Sequence, residues 1–147
     1  MRLLIVDDDV PTVETVWDSI AWRDIGISEV EIAHSVAQAK AVIEREPVDI
    51  VISDIEMPQG SGLDLLAWIR GRGDETEFIL LTCHERFDYA AHAIKLDAAE
   101  YLVQGIDTVA FDDEIDSGVH RAMKIEVDVA VLLVAQRDAL VTHVVRL

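Results

Sequence analysis

Three short apolar runs in this sequence each end on side chains that can hold a proton, a metal ion or a phosphoryl group. Leu3-Leu4-Ile5-Val6 runs into Asp7, Asp8 and Asp9; Val48 to Ile52, broken only by Asp49, leads to Asp54; Phe78-Ile79-Leu80-Leu81 ends at Thr82. A run of this kind reads as a strand covered on both faces, because neither side tolerates polar groups. Pro58, four residues past Asp54, ends regular structure there. If such strands lie parallel, their carboxyl ends share one edge, and open α/β sheets bind ligands in the crevice above that edge. Asp7, Asp8 and Asp54 would then converge beside the Thr82 hydroxyl. Crowded carboxylates repel and raise a pKa unless a cation holds them. A hard divalent ion answers this, and Mg2+ takes a few carboxylate oxygens plus phosphate oxygens while keeping several waters. The chemistry that suits the set is phosphoryl transfer to a carboxylate nucleophile. Taken singly, each acid reads as a solvated strand end or a helix cap; their joint placement argues otherwise. Successive strand residues point to opposite faces, so Asp7 and Asp8 are not equivalent, and one acts directly while the other acts through water.

The elements that must position these groups alternate along the chain. After the first run, Val13, Val16, Trp17 and Ile20 mark the inward face of a helix over residues 10–22. Val30 to Ala33 reads as a short strand, and Ser35 caps a helix through Glu46 whose inward face is Val36, Ala39, Ala41, Val42 and Ile43. Gly60-Ser61-Gly62 reads as a loop, followed by a helix carrying Leu63, Leu66, Ala67, Ile69 and Arg70 and stopping near Gly71 and Gly73. Residues 86–96 are helical, with Phe87, Ala90, Ala91 and Ile94 inward. Tyr101-Leu102-Val103 is a last strand ending at Gln104, and a helix follows from Asp107 through Phe111, Ile115, Val119 and Met123. Five rounds of strand then helix imply a parallel sheet with right-handed crossovers and helices on both faces. Residues 124–147 exceed that need and are strongly apolar. They read as an extension of the last helix that pairs with a second copy, as the start of a linker, or as an end helix folded back on its own domain.

Composition narrows the class. A chain of 147 residues fits one domain with a proper core. A formal charge of −17 argues against this segment gripping a nucleic-acid backbone by itself. The one cysteine, Cys83, permits no internal disulfide and points to a reducing compartment. The apolar run at the N-terminus is too short for a signal peptide or a span, so a soluble cytoplasmic protein is expected. His34, His84, His92, His120 and His143 show no ligand spacing and read as surface or satisfied core residues rather than zinc ligands. Asp112-Asp113-Glu114 reads as favourable charge in the first turn of the last helix.

The segments LLIVDDD, VDIVISDIEMPQGSGLDLL and ILLTCHERFDYAAHAIKLDAAEYLV resemble the receiver domain of bacterial two-component response regulators over residues 1–123, most closely receivers that precede an AraC-type DNA-binding domain. The resemblance implies a flavodoxin-like (βα)5 three-layer α/β sandwich with strand order 2-1-3-4-5. It implies that Asp54 is the phosphoacceptor for a sensor histidine kinase, and that Asp8 ligates Mg2+ directly and Asp7 through water, with the backbone carbonyl of Glu56. Thr82 and Tyr101 would be the switch residues, moving an output face built from the fourth helix, fifth strand and fifth helix. In physical terms a new dianion and its metal bias a bistable element. A homodimer is expected through that face or the tail, and contact with DNA only through a downstream domain.

Two positions depart from the family pattern. Where the family carries Lys-Pro after the fifth strand, this chain has Gln104-Gly105. Gln104 donates hydrogen bonds but brings no charge to balance the carboxylates. Gly105 removes the X-Pro bond at which a cis peptide is cheap. Three functions therefore compete: a phosphorylated receiver that is not an enzyme beyond slow autodephosphorylation, a degenerate receiver acting through its surface without phosphorylation, and a Mg2+-dependent phosphohydrolase. The last needs a second acid two residues after the nucleophile. Glu56 has that spacing but reads as lying in a turn that runs into Pro58.

Overall fold

The computed structural model describes residues 1–19, 21–82 and 86–103. Gln104-Gly105, Cys83, His84, the expected fifth helix and the 124–147 tail lie outside the described residues.

Strand β1 (Arg2–Val6) leads through Asp7 to Asp9 into helix α1 (Val10–Ser19), with the Asp9 carbonyl accepting the Val13 N–H at 3.1 Å. A 3-10 turn (Trp22–Ile25) follows, closed by Gly26 at φ +88°, which glycine adopts without a side-chain clash. Strand β2 (Glu29–Ala33) precedes helix α2 (Val36–Arg45), whose cap is Ser35; its hydroxyl accepts the Gln38 N–H at 3.1 Å. Strand β3 (Ile50–Asp54) is followed by a small antiparallel ladder, β4 (Glu56–Met57) with β5 (Gly60–Ser61). Helix α3 (Gly62–Gly71), strand β6 (Glu77–Thr82), helix α4 (Phe87–Lys95) and strand β7 (Glu100–Val103) complete the described fold.

The main sheet is wholly parallel in the order β2-β1-β3-β6-β7. With the two hairpin strands set aside, this is the flavodoxin-like order 2-1-3-4-5. The strands alternate cleanly between two cores, as a pleated ribbon buried on both faces must. Leu3, Ile5, Ile50, Ile52, Ile79 and Leu81 face one side with Val13 of α1 and Trp22. Leu4, Val6, Val51, Phe78 and Leu80 face the other, where α2 brings Val36, Ala39 and Ile43, α3 brings Leu65, Leu66 and Ile69, and α4 brings Ala93.

Several helix faces differ from expectation. Helix α1 ends at Ser19, and Trp17 is 40% exposed rather than inward. Trp22 of the 3-10 turn takes the buried place, donating its indole N–H to the Trp17 carbonyl at 3.1 Å. In α4 the expected Ile94 is 80% exposed and its neighbour Ala93 is buried. Ala41 is exposed, Val42 is half-buried, and Leu65 is a core residue that the spacing did not single out. Arg70 is half-buried in the last turn of α3. Its guanidinium donates to the carbonyls of Leu96, Asp74 and Asp97 at 2.9, 2.9 and 3.0 Å, tying the end of α3 to the turn before β7. The expected loop at Gly60-Ser61-Gly62 is instead strand β5 and the start of α3. The tight turn before it places Gln59 at φ +62° and Gly60 at φ +149°.

Candidate functional site

Asp54 is the last residue of β3, half-buried, with Leu81 of β6 opposite it in register. Its position is set by the backbone around it. The buried Ser53 hydroxyl donates to the Asp54 carbonyl at 2.9 Å, the Ile55 N–H donates to the Leu81 carbonyl at 3.2 Å, and the Gly62 N–H donates to the Ile55 carbonyl at 2.9 Å. Gly62 matters here because it has no side chain. A Cβ at this position would stand 2.2 Å from the Asp54 carbonyl oxygen and 2.9 Å from the Ser53 hydroxyl. The first turn of α3 therefore packs directly against the backbone of Asp54. Ser61 and Asp64 hold that turn with a reciprocal capping box, each side chain bonding the other's backbone N–H at 3.0–3.1 Å.

Asp7 and Asp8 follow β1, the strand beside β3. Asp7 is only 9% exposed, and Asp8 is exposed, so the two are inequivalent as the strand alternation required. Asp7 is fixed on three sides. Its N–H donates to the Ala33 carbonyl at 3.1 Å, its carbonyl lies 3.0 Å from His34 Nδ1, and its Oδ1 accepts the Asp9 N–H at 2.9 Å. One carboxylate oxygen from each of Asp7, Asp8 and Asp54 falls within 4.8 Å of the others. Thr82, 2% exposed, closes the end of β6 one residue beyond Leu81. Tyr101 lies half-buried in β7 opposite Leu80. Glu56 stands in β4, its side chain exposed.

The electrostatics follow from this crowding. Burial pushes the Asp7 carboxyl up to about 7; the Asp9 N–H opposes that, and the charges of Asp54, Asp8 and Asp9 add to it. Burial also raises Asp54 to about 6, opposed by the N–H groups of Ile55 and Glu56 and reinforced by the Asp8 and Glu56 charges. A divalent cation at the cluster would remove the repulsion and hold both groups ionised. The donor set fits a hard ion, since every ligand atom is a carboxylate oxygen and one of the three acids is buried.

Three features of the site had no local signature. Gly62 reads in sequence as a loop glycine, and only the contact with Asp54 gives it a role. Ser53 reads as a strand residue. Tyr89 and Arg86, in and just before the first turn of α4, reach the site's rim. The Tyr89 O–H donates to Glu56 Oε1 at 2.6 Å, and the Arg86 guanidinium lies 4.4 Å from the Tyr89 ring centroid.

The sequence profile of the response regulator receiver domain matches residues 3–116. The chain is 38% identical over 105 residues to the acid tolerance regulatory protein ActR of Rhizobium meliloti, covering 71% of this chain and 53% of that protein. It is 30% identical over 106 residues to the response regulator protein PilR of Pseudomonas aeruginosa, covering 72% of this chain and 23% of that one. The chain thus spans about half the length of the first relative and less of the second. Among solved structures, a response regulator receiver domain protein from Clostridium thermocellum superposes with a TM-score of 0.71 at 25% identity, over 95% of this chain and 98% of that one. An AraC two component transcriptional regulator from Clostridium phytofermentans superposes at 0.68 and 20% identity, over 95% and 98%, a likeness of fold alone.

Proposed function

This chain belongs to the response regulator receiver domain family, and from that premise we propose that Asp54 accepts a phosphoryl group from the phosphohistidine of a sensor histidine kinase. The observation that carries the reading is the convergence of Asp7, Asp8 and Asp54 within 4.8 Å at the carboxyl edge of a parallel sheet. An Asp54 carboxylate oxygen attacks phosphorus, the bond to the donor nitrogen breaks, and the donor leaves with its electron pair. Asp7, Asp8, Asp54 and the Glu56 carbonyl would hold Mg2+. When bound, that ion supplies charge to the phosphoryl oxygens and keeps the acceptor ionised. Burial of Asp7 fixes one ligand before the metal arrives, and the contact between Gly62 and the Asp54 backbone fixes the nucleophile.

Thr82, at the end of the strand beside β3, would be the hydroxyl that meets the phosphoryl group, and Tyr101, on the neighbouring strand, the aromatic that would follow it. Their movement would bias the α4–β7 face toward a second copy of the chain, giving a homodimer and, through a downstream DNA-binding domain, control of transcription. No helix among the described residues is long and apolar enough to cross a membrane, and a cytoplasmic setting suits a kinase-fed switch.

Incubation with acetyl phosphate and Mg2+, read by intact mass, tests the reading. The wild type should gain a phosphoryl adduct that Asp54→Ala abolishes, and Gln104→Lys, which returns a positive charge, should gain it more fully. An adduct that persists in Asp54→Ala would overturn the assignment. No adduct on the wild type while Mg2+ still binds would turn the reading to a phosphorylation-independent module.

A further inference from the structure

The phosphoacceptor reading leaves the side chain of Glu56 without a task. It stands two residues beyond Asp54, on β4. A carboxylate near an aspartyl phosphate can take the proton of an attacking water. In this structure it is engaged instead. The Tyr89 O–H donates to Glu56 Oε1 at 2.6 Å, a short charge-assisted bond. Tyr89 is itself braced by Arg86. The guanidinium lies over the ring and donates from Nη1 to the phenol oxygen at 3.2 Å, while Nε and Nη2 grip the Asp88 carboxylate at 3.1 and 2.8 Å. The resulting strap runs from β4 to the first turn of α4. It crosses the rim between β3 and β6, which are neighbours in the sheet. Arg86, Asp88 and Glu56 are exposed and Tyr89 is half-buried, so the strap can be cut without opening the core.

We infer that Tyr89, braced by Arg86, keeps the Glu56 carboxylate from acting as general base in the hydrolysis of phosphorylated Asp54, so that this strap sets how long the phosphoryl group is retained. The inference rests on the phosphoacceptor reading. In the restrained step a water oxygen bonds to phosphorus and the bond from phosphorus to the Asp54 oxygen breaks, its electron pair returning to the carboxylate. The water proton passes to Glu56 and on to solvent, and inorganic phosphate departs. While Tyr89 donates to Oε1, that oxygen is committed to α4.

The test loads the full chain with acetyl phosphate and Mg2+, removes the donor, and follows loss of the adduct by intact mass. Tyr89→Phe should lose the phosphoryl group about a hundredfold faster, at the low end of what a positioned general base contributes. Arg86→Ala, which removes the brace but leaves the hydrogen bond, should accelerate the loss by less. Tyr89→Phe combined with Glu56→Gln should return to the wild-type rate or below, because an amide cannot take the proton. A merely structural strap would not give that reversal, and melting curves check that each variant is folded. Decay of Tyr89→Phe at the wild-type rate, or a double variant as fast as Tyr89→Phe, overturns the inference and leaves the phosphoacceptor reading standing. A wild type that takes no adduct overturns that reading, and the inference with it.

Discussion

The two edges of the sheet carry the same residue types and treat them oppositely. At the amino edge the acids are matched. Arg2 pairs with Glu31, with Glu29 at 2.8 Å and with Glu46 at 3.2 Å, and Arg45 reaches Glu31 at 2.8 Å. Asp49, the one polar break in its apolar run, accepts the Arg2 N–H at 2.7 Å and so closes the start of β3 against β1. At the carboxyl edge Asp7, Asp8 and Asp54 enter none of the ion pairs found among the described residues, and two of them are raised by burial and mutual repulsion. In so acidic a protein an acid is no mark of a site by itself. Acids alone are common here; three acids gathered with no Arg or Lys in ion-pair contact among the described residues, at the edge where a parallel sheet binds ligands, are what sets the site apart.

The sharpest way to break that contrast is to vary pH with and without metal. A carboxyl whose folded pKa is raised binds its proton in the folded state over a range where the unfolded chain has released it. Its stabilising contribution is present below the unfolded value of 3.8 and is lost as pH rises toward about 7 for Asp7 and about 6 for Asp54. Metal-free protein should therefore lose on the order of 2–4 kcal/mol between pH 4 and 7 from these acids. Mg2+ should stabilise more at pH 7 than at pH 5, and Asp7→Asn should flatten the slope. Urea unfolding across pH reads all three effects, and a slope that survives Asp7→Asn would remove the contrast.

A second prediction turns on Gly62. Glycine to alanine in a helix ordinarily stabilises by up to about 1 kcal/mol. Here the added methyl meets the Asp54 carbonyl, so Gly62→Ala should destabilise by about 1–3 kcal/mol, the usual cost of overpacking, and slow phosphorylation of Asp54. Denaturant midpoints and adduct rates measure both, and a stabilised variant would mean that α3 is free to withdraw. The smallest effect belongs to the amino edge. Arg2→Ala should lower the melting temperature slightly, by an amount that shrinks as salt is added, and should leave Asp54 phosphorylation unchanged. A loss of phosphorylation would show that the two edges are coupled.

Much of this was legible in the chain. The apolar runs ending at Asp7, Asp54 and Thr82 mark three central strands and the three acids that the fold brings together, while the sheet order followed from the family resemblance. Helix faces were read less well. Helical spacing puts Trp17 and Ile94 inward, yet Trp22 and Ala93 hold the buried places. Ala93 and Ile94 differ by only about 100° around α4, and the stripe is wide enough to admit either, whereas Trp22 lies beyond α1 in the 3-10 turn, outside the helical period. The hairpin of β4 and β5 escaped because a two-residue strand has no periodicity to display.

The chain alone is enough to place the strands of the main sheet and the acids at their ends, because a short apolar run bounded by turn residues reads as a strand buried on both faces and its terminal polar residue stands out against it. How that edge is finished comes from the packing of the folded chain. Gly62 pressed on the Asp54 carbonyl, Asp7 buried and Asp8 not, and Tyr89 bonded to Glu56 across 33 residues of chain are contacts between segments distant in sequence. Such contacts leave no local pattern, since their geometry comes from which strands lie side by side.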